Sequence, residues 1–221
     1  MDFNKQYIRA KEQQAQKHKE VDHAESHDRL PPGQTETKGF PILDLGIRPS
    51  RDRYPKWTLE IRGKVKSPVT LTLDEVKNLD GGPSTGSGYK ITADFHCVTR
   101  WSRYDLSWTG IPFAKIIELA KPDPLAKHLI FRSFEGYSTN VPLEELLKPN
   151  VIVAYELEGK EIPPEHGGPI RMIIPHLYGW KSAKFLTVIE FKERDEPGFW
   201  EVRGYSNRAR PWIEERYSDG V

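Results

Sequence analysis

The chain holds one cysteine, Cys97, within Asp94-Phe95-His96-Cys97-Val98-Thr99-Arg100-Trp101-Ser102. The residues before it predict a strand from Ile91 to Cys97. The thiol then falls where the chain leaves a sheet, a common place for rigidly held functional groups. Arg100 lies three residues on, and a nearby cation lowers a thiol's pKa. His96 is adjacent, but strand neighbours point to opposite faces, so it is a poor base for Cys97. His128, His166 or His176 would serve only if the fold brings one close. A lone cysteine is also an ordinary small core hydrophobe, so the thiol by itself leaves both readings open.

Two later stretches carry further groups. Glu165-His166-Gly167-Gly168-Pro169-Ile170-Arg171 has paired glycines that permit unusual backbone and close approach of a ligand. Pro175-His176-Leu177-Tyr178-Gly179-Trp180-Lys181-Ser182-Ala183-Lys184 places two lysines, a serine and a tyrosine around a glycine. With Arg171 these form either a pocket for a phosphate or other anion, or a solvated loop.

The elements that must position these groups alternate from Phe40 onward. Trp57 to Ile61 and Val69 to Leu71 predict strands, and Thr72 with Glu75 predicts a capped helix start. Further strands are expected at His128 to Ser133, Val151 to Leu157, Pro169 to Ile174 and Lys184 to Lys192. Pro112 to Lys121 predicts a helix with Phe113, Ile116, Ile117 and Ala120 on one face. Val141 to Lys148 predicts a short helix with Pro142 in its first turn. Gly81 to Gly88 reads as a loop. The tail from Pro197 carries Phe199, Trp200, Tyr205, Trp212 and Tyr217 without clear periodicity; it either walls the substrate entrance or covers the core, and the covering role is expected. The sum is an α+β class, strand-rich with short helices. Residues 1–38 form a polar N-terminal arm and 39–221 the domain. Within the arm, Asn4 to Val21 is read as a solvated helix, and His18, His23 and His27 as part of that solvated surface rather than a metal site.

Composition excludes several classes. The 221 residues carry 33 Lys and Arg against 32 Asp and Glu, a net charge of +1. No nucleic-acid partner is expected of so balanced a chain. No apolar run approaches a membrane span. One cysteine rules out an internal disulfide and any multi-cysteine zinc or iron–sulfur site. Met1 to Leu30 lacks the apolar centre of an export signal, so a cytoplasmic location is expected.

Taken together, Phe95-His96-Cys97-Val98-Thr99-Arg100-Trp101-Ser102, His166-Gly167-Gly168-Pro169-Ile170-Arg171 and Tyr178-Gly179-Trp180-Lys181-Ser182-Ala183-Lys184 resemble the molybdopterin domain of the sulfite oxidase family, in order and spacing. The resemblance runs from about Trp57 to Phe191, with a tail to Trp212 like that of small prokaryotic members. It implies a sulfite-oxidase-type fold of mixed sheets, with molybdenum and molybdopterin as cofactors. By that resemblance Cys97 is the thiolate ligand to the metal. His166, Arg171, Ser182 and Lys184 contact the pterin and its phosphate, Ser133 supplies a hydroxyl to the pterin, and Tyr178 and Lys181 lie beside them. Arg100 positions the substrate, a small oxyanion or sulfoxide. An electron-transfer partner of unknown identity is implied. Soft sulfur ligands suit such a metal, and one cysteine suffices because the cofactor brings its own sulfurs. The residues after Cys97 are closer to bacterial protein-methionine-sulfoxide reductase than to sulfite oxidase. Gly46-Ile47-Arg48-Pro49-Ser50-Arg51 departs from that reductase's pterin-binding loop, and Arg48 or Arg51 is a further candidate contact to the cofactor or an anionic substrate. Two other readings stand beside this one: a non-enzymatic relative binding a phosphorylated ligand or partner protein through a basic cleft, and a Cys97 nucleophile.

Overall fold

The structure, a computed structural model, describes residues 11, 13, 29–79 and 88–218. His18, His23, His27, most of the proposed Asn4–Val21 helix and most of the Gly81–Gly88 loop lie outside them.

Two mixed sheets meet across one large core. The first has six strands: β1 (Thr35–Glu36), β4 (Tyr89–Cys97), β5 (Trp101–Pro112), β8 (Ile152–Leu157), β9 (Lys160–Glu161) and β10 (Arg171–Ile173). Its main order is β1-β5-β8-β10, with β4 on β5 and β9 on β8. The second has β2 (Thr58–Gly63), β3 (Val69–Thr72), β6 (His128–Ser133), β7 (Ser138–Pro142) and β11 (Leu186–Lys192), in the order β3-β2-β11-β6-β7. β11 runs parallel to β2 and antiparallel to β6. The architecture is the expected strand-rich α+β one.

Among the residues 29–79 and 88–218, three short helices cover the sheets: α1 (Leu73–Asn78), α2 (Phe113–Ala120) and α3 (Leu143–Leu146). The capping box is present, with the Thr72 hydroxyl accepting from the Glu75 amide and Glu75 returning a bond to the Thr72 amide. That satisfies two of the helix start's orphan donors. α2 buries Phe113, Ile116 and Ala120, as its periodicity predicts. Pro142 is not in the first turn of α3. It ends β7, a strand the sequence reading did not assign, and acts as the N-cap of a helix only four residues long.

β8 explains why the core splits in two. Val153 and Tyr155 join the main cluster with Ile61, Phe131, Ile189 and Phe191, while Ile152 and Ala154 join a second one with Leu106, Trp108 and Ile173. Buried on both faces, β8 reads as a continuous apolar run rather than an alternation.

Residues 29–38, expected within a solvated arm, lie against the first sheet. β1 pairs with the start of β5, and Thr37 is fully buried. Arg29 reaches Asp94 and Asp105 and covers the Tyr104 ring. Gln34 donates from its side chain to the carbonyl of Cys97 at 3.0 Å. This strand therefore straps the turn that follows the thiol.

Candidate functional site

Cys97 is the last residue of β4, opposite Trp101 in a tight hairpin. The turn residues are Val98, Thr99 and Arg100, and the Arg100 amide donates back to the Cys97 carbonyl at 3.1 Å. Arg100 has φ 69°, the left-handed residue that closes a three-residue hairpin loop. Its guanidinium lies 4.0 Å from Glu214 and is half exposed. Arg100 therefore does not line the cavity that Cys97 faces, because the hairpin geometry sends its side chain toward the C-terminal segment.

That cavity is partly open to solvent and holds about 120 Å³ of space for water-sized molecules. Of the residues singled out in the sequence it brings together Cys97, His166, Arg171, Ser182 and Lys184. Aromatic rings wall it: Phe40, Phe95, Trp101, Tyr137, Trp180, Trp200 and Tyr205. The tail thus has both roles, since Trp200 and Tyr205 belong to the core and to the wall.

Arg171 is the buried cation of the floor. Its guanidinium donates to the carbonyls of His166 (2.7 Å) and Ser182 (3.0 Å), tying two loops together. Burial lowers its pKa to about 9, which leaves it cationic at neutral pH. Ser182 Oγ accepts from the Ile174 amide at 3.0 Å and keeps its own proton to donate. Lys184 Nζ donates to the Glu165 carbonyl at 2.8 Å, and burial with the Arg171 charge lowers its pKa to about 7. His166 stacks on Phe40 with ring centroids 4.5 Å apart. Burial, with the charges of Lys184 and Arg171, lowers its pKa to about 4, so it is neutral at pH 7. Glycine is required in two places around these groups. A Cβ on Gly168 would lie 1.9 Å from the Ile162 carbonyl oxygen, and one on Gly179 would lie 2.3 Å from the Phe95 ring.

Five expected residues stand elsewhere. Lys181 faces away from the cavity into a buried network. Its Nζ donates to Asn140 O (2.8 Å), Asn140 Oδ1 (2.9 Å) and Glu201 Oε1 (2.6 Å). Glu201 also accepts from Thr139 (2.8 Å) and Trp180 Nε1 (3.0 Å). With every ammonium proton committed, Lys181 props the loop and has none left for a cofactor. Tyr178 is fully buried beneath Arg216, whose guanidinium lies 4.9 Å over its ring, and it stacks on Trp180. Ser133 is buried at the end of β6 and is absent from the cavity wall. Arg48 binds Asp44 at 2.7 Å and Arg51 lies 3.7 Å from Glu161. Neither lines the cavity, although Asp44 does.

The histidines divide the same way. His96 Nδ1 bonds Ser102 Oγ at 2.8 Å on the face away from the thiol's cavity. His128 lies 3.5 Å from Asp195, and His176 bonds Glu145 at 2.8 Å. Only His166 of these shares the wall with Cys97. The Cys97 thiol lies 3.1 Å from Thr99 Oγ1, and burial pushes its pKa up. A free nucleophile needs the opposite direction.

Sequence reading missed Phe40, Asp44, Glu135 and Arg216. Arg216 is buried and donates to the Val98 carbonyl at 2.7 Å, so the C-terminal segment clamps the hairpin after the thiol. It looks like any surface arginine in a charged tail. Glu135, in the β6–β7 turn, resembles an ordinary solvated turn residue.

Donor chemistry shows what the cavity fits. It offers one soft sulfur, two cations, a serine hydroxyl and aromatic walls. The Trp101 indole Nε1 and Glu135 Oε2 are buried without a hydrogen-bond partner, although both residues line it. Buried orphan groups are costly, and a polar ligand resolves that cost. Among the described residues no three His, Cys, Asp or Glu side chains converge as a metal cage. A metal held by Cys97 therefore has to arrive with other ligands.

The mixed sheets thus present one thiol beside buried cations in an aromatic cavity. Residues 46–200 match the oxidoreductase molybdopterin binding domain, and the chain belongs to that family, whose cofactor is molybdenum–molybdopterin. It is 40% identical over 190 residues to the uncharacterized oxidoreductase YuiH of Bacillus subtilis, covering 86% of this chain and 92% of that protein. Similarity extends to the protein-methionine-sulfoxide reductase catalytic subunit MsrP of Ralstonia nicotianae, 29% identical over 178 residues and covering 72% of this chain. The chain spans 52% of the length of that relative. Among solved structures, the sulfane dehydrogenase SoxCD from Paracoccus pantotrophus has the same fold, with a TM-score of 0.59 at 17% identity over 86% of this chain and 51% of that one. No helix among the described residues is long and apolar enough to cross a membrane.

Lys184 gives the cavity a pH-dependent charge. Its folded pKa of about 7 lies below the ordinary lysine value, so the cation is present below that pH and lost above it. Sulfate, which does not titrate in this range, is expected to bind cofactor-free protein up to about tenfold more weakly per pH unit above 7. Isothermal titration should show that slope in the wild type and a shallower one in Lys184→Gln. For stability the sign is reversed: the unfolded lysine binds the proton more tightly, so this group adds stability as pH rises above 7.

Proposed function

We propose that this oxidoreductase reduces a small sulfoxide-type substrate, with Cys97 as the protein thiolate on molybdenum. The observation that carries the reading is the position of Cys97: the sole thiol lines a cavity that also exposes Arg171 and Lys184. Similarity to MsrP supports a sulfoxide over an oxyanion such as sulfite. When bound, the cofactor supplies two-electron oxygen-atom exchange.

Each group of the chain has a separate task. Arg171 and Lys184 offer the positive charge that an anionic phosphate needs, and Ser182 adds a hydroxyl donor. The neutral His166, fixed against Phe40, offers a hydrogen-bonding edge without adding charge. Trp101 has an uncommitted indole N–H for a polar edge of the pterin or substrate. The aromatic walls exclude water and strengthen these charge contacts. Electrons come from an external carrier, and a cytoplasmic location forms part of the proposal, to be checked by cell fractionation.

Protein made in a host that synthesises the cofactor should contain molybdenum and pterin in equal amounts. It should give a Mo(V) paramagnetic resonance signal on partial reduction and should reduce methionine sulfoxide with a viologen donor. Metal-loaded protein that oxidises sulfite and leaves sulfoxides untouched would reverse the assigned substrate.

A further inference from the structure

We propose that Glu135 is the acid that delivers a proton to the oxygen leaving the substrate. The inference deepens the sulfoxide reading above and rests on it. Reducing a sulfoxide breaks the sulfur–oxygen bond and releases the oxygen as water. It consumes two electrons, here from two equivalents of a one-electron reductant such as a reduced viologen, and two protons. A titratable group on the cavity wall can deliver one of them to the leaving oxygen.

Most of the cavity's other polar groups are committed, and Lys184 is assigned above to the anionic phosphate. Arg171 gives its guanidinium to the His166 and Ser182 carbonyls and stays charged. Asp44 is held ionised by Arg48 and the Gly46 amide. The Tyr137 hydroxyl donates to the Trp180 carbonyl at 2.5 Å, and burial raises its pKa well above the usual tyrosine value. Neutral His166 is a weak acid source, since its proton is already lost near pH 4. Lys184 spends one donor on the Glu165 carbonyl.

Glu135 differs from these in carrying a buried carboxyl oxygen without a partner. The β6–β7 turn carries its side chain to the wall that also holds Cys97. Its Oε2 is buried and has no hydrogen-bond partner, which favours the protonated carboxyl over the carboxylate. The charged groups facing it are Lys184, which precedes β11, and Asp44, on the segment after β1; they act in opposite directions. Lys11 also lines the cavity, and Arg53 lies over the adjoining Phe134 ring. Burial outweighs these charges and places the carboxyl pKa at about 7, so the group holds a proton and can release it near neutrality. After transfer, solvent at the cavity mouth returns the proton.

The test compares wild-type and Glu135→Gln holoenzyme, reducing methionine sulfoxide with reduced benzyl viologen. Molybdenum and pterin contents are expected to match. The kcat should fall roughly 100-fold, in the range for loss of a general acid, with KM nearly unchanged. Wild-type kcat should decline as pH rises through about 7, because the acid form is lost, and Glu135→Gln should lack that limb. Glu135→Asp should recover part of the rate. A variant with full kcat and the same alkaline limb overturns the inference while leaving the molybdenum reading intact. Infrared difference spectroscopy gives a readout independent of turnover. A protonated-carboxyl band that disappears over the same pH range and is missing in Glu135→Gln supports the acid, even in protein that lacks molybdenum or is inert toward sulfoxides. Absence of that band overturns it.

Discussion

Cys97→Ser protein is expected to fold, to retain pterin and to lose both its visible thiolate-to-metal absorption and its turnover. Serine is nearly the same size, and Cys97 sits at a strand end whose carbonyl accepts from the Gln34 side chain and the Arg100 amide, bonds the substitution leaves in place. The contacts proposed for the pterin come from other cavity residues, Arg171, Ser182 and Lys184, so binding of the organic part should survive. The metal loses a soft donor and gains a hard one. Loss of activity should exceed the roughly 100-fold that removal of an outer-shell partner costs a metal site. Absorption spectra, metal content and kcat on one preparation check the three parts separately. A serine variant with wild-type absorption and rate would remove Cys97 from the coordination sphere.

Lys181→Met is expected to be the most destabilising single change near the site. Lys181 and Glu201 are both buried, with side chains 0% and 2% exposed, and they meet at 2.6 Å. Truncating the ammonium leaves the Glu201 carboxylate with only the Thr139 and Trp180 donors, and leaves both Asn140 acceptors unpaired. Breaking such a pair costs about 3–5 kcal/mol. For a chain of this size each kcal/mol lowers Tm by roughly 2–4 °C, so a fall of about 10 °C is expected in calorimetry. The double variant Lys181→Met/Glu201→Met should recover much of that loss, because no charge is then stranded. If Lys181 instead contacted the cofactor, the single variant would keep its apo Tm and lose pterin.

How far the sequence could be read depended on whether a residue's role is local. The Thr72–Glu75 cap, the apolar face of α2 and the strand ending at Cys97 are each written within a few residues, and each is present. β5 was missed although Ser102, Tyr104, Leu106 and Trp108 alternate with Arg103, Asp105 and Ser107. Its twelve residues follow the thiol motif directly and are interrupted by Asp105, at φ 56°, and a register shift at Gly110. β7 was merged with α3 because Pro142 serves as the end of one and the cap of the other.

The site divides along the same line. Cys97, His166, Arg171, Ser182 and Lys184 share one cavity, as three motifs in register suggested. Lys181 and Lys184 look equivalent in sequence, but the turn at Gly179–Lys181 sends one ammonium into the Glu201 network and the other toward the cavity. That difference depends on Glu201, twenty residues further on, and no local pattern records it. Glu135 and Arg216 have the same character: a turn carboxylate and a tail arginine become buried only because distant segments close over them.

X-ray absorption at the molybdenum edge of the oxidised holoenzyme and of Cys97→Ser tests the central claim most directly. One sulfur fewer is expected around the metal in the variant, replaced by a lighter scatterer, with the pterin's own sulfurs unchanged. An identical sulfur count in the two proteins would show that this thiol does not bind the metal.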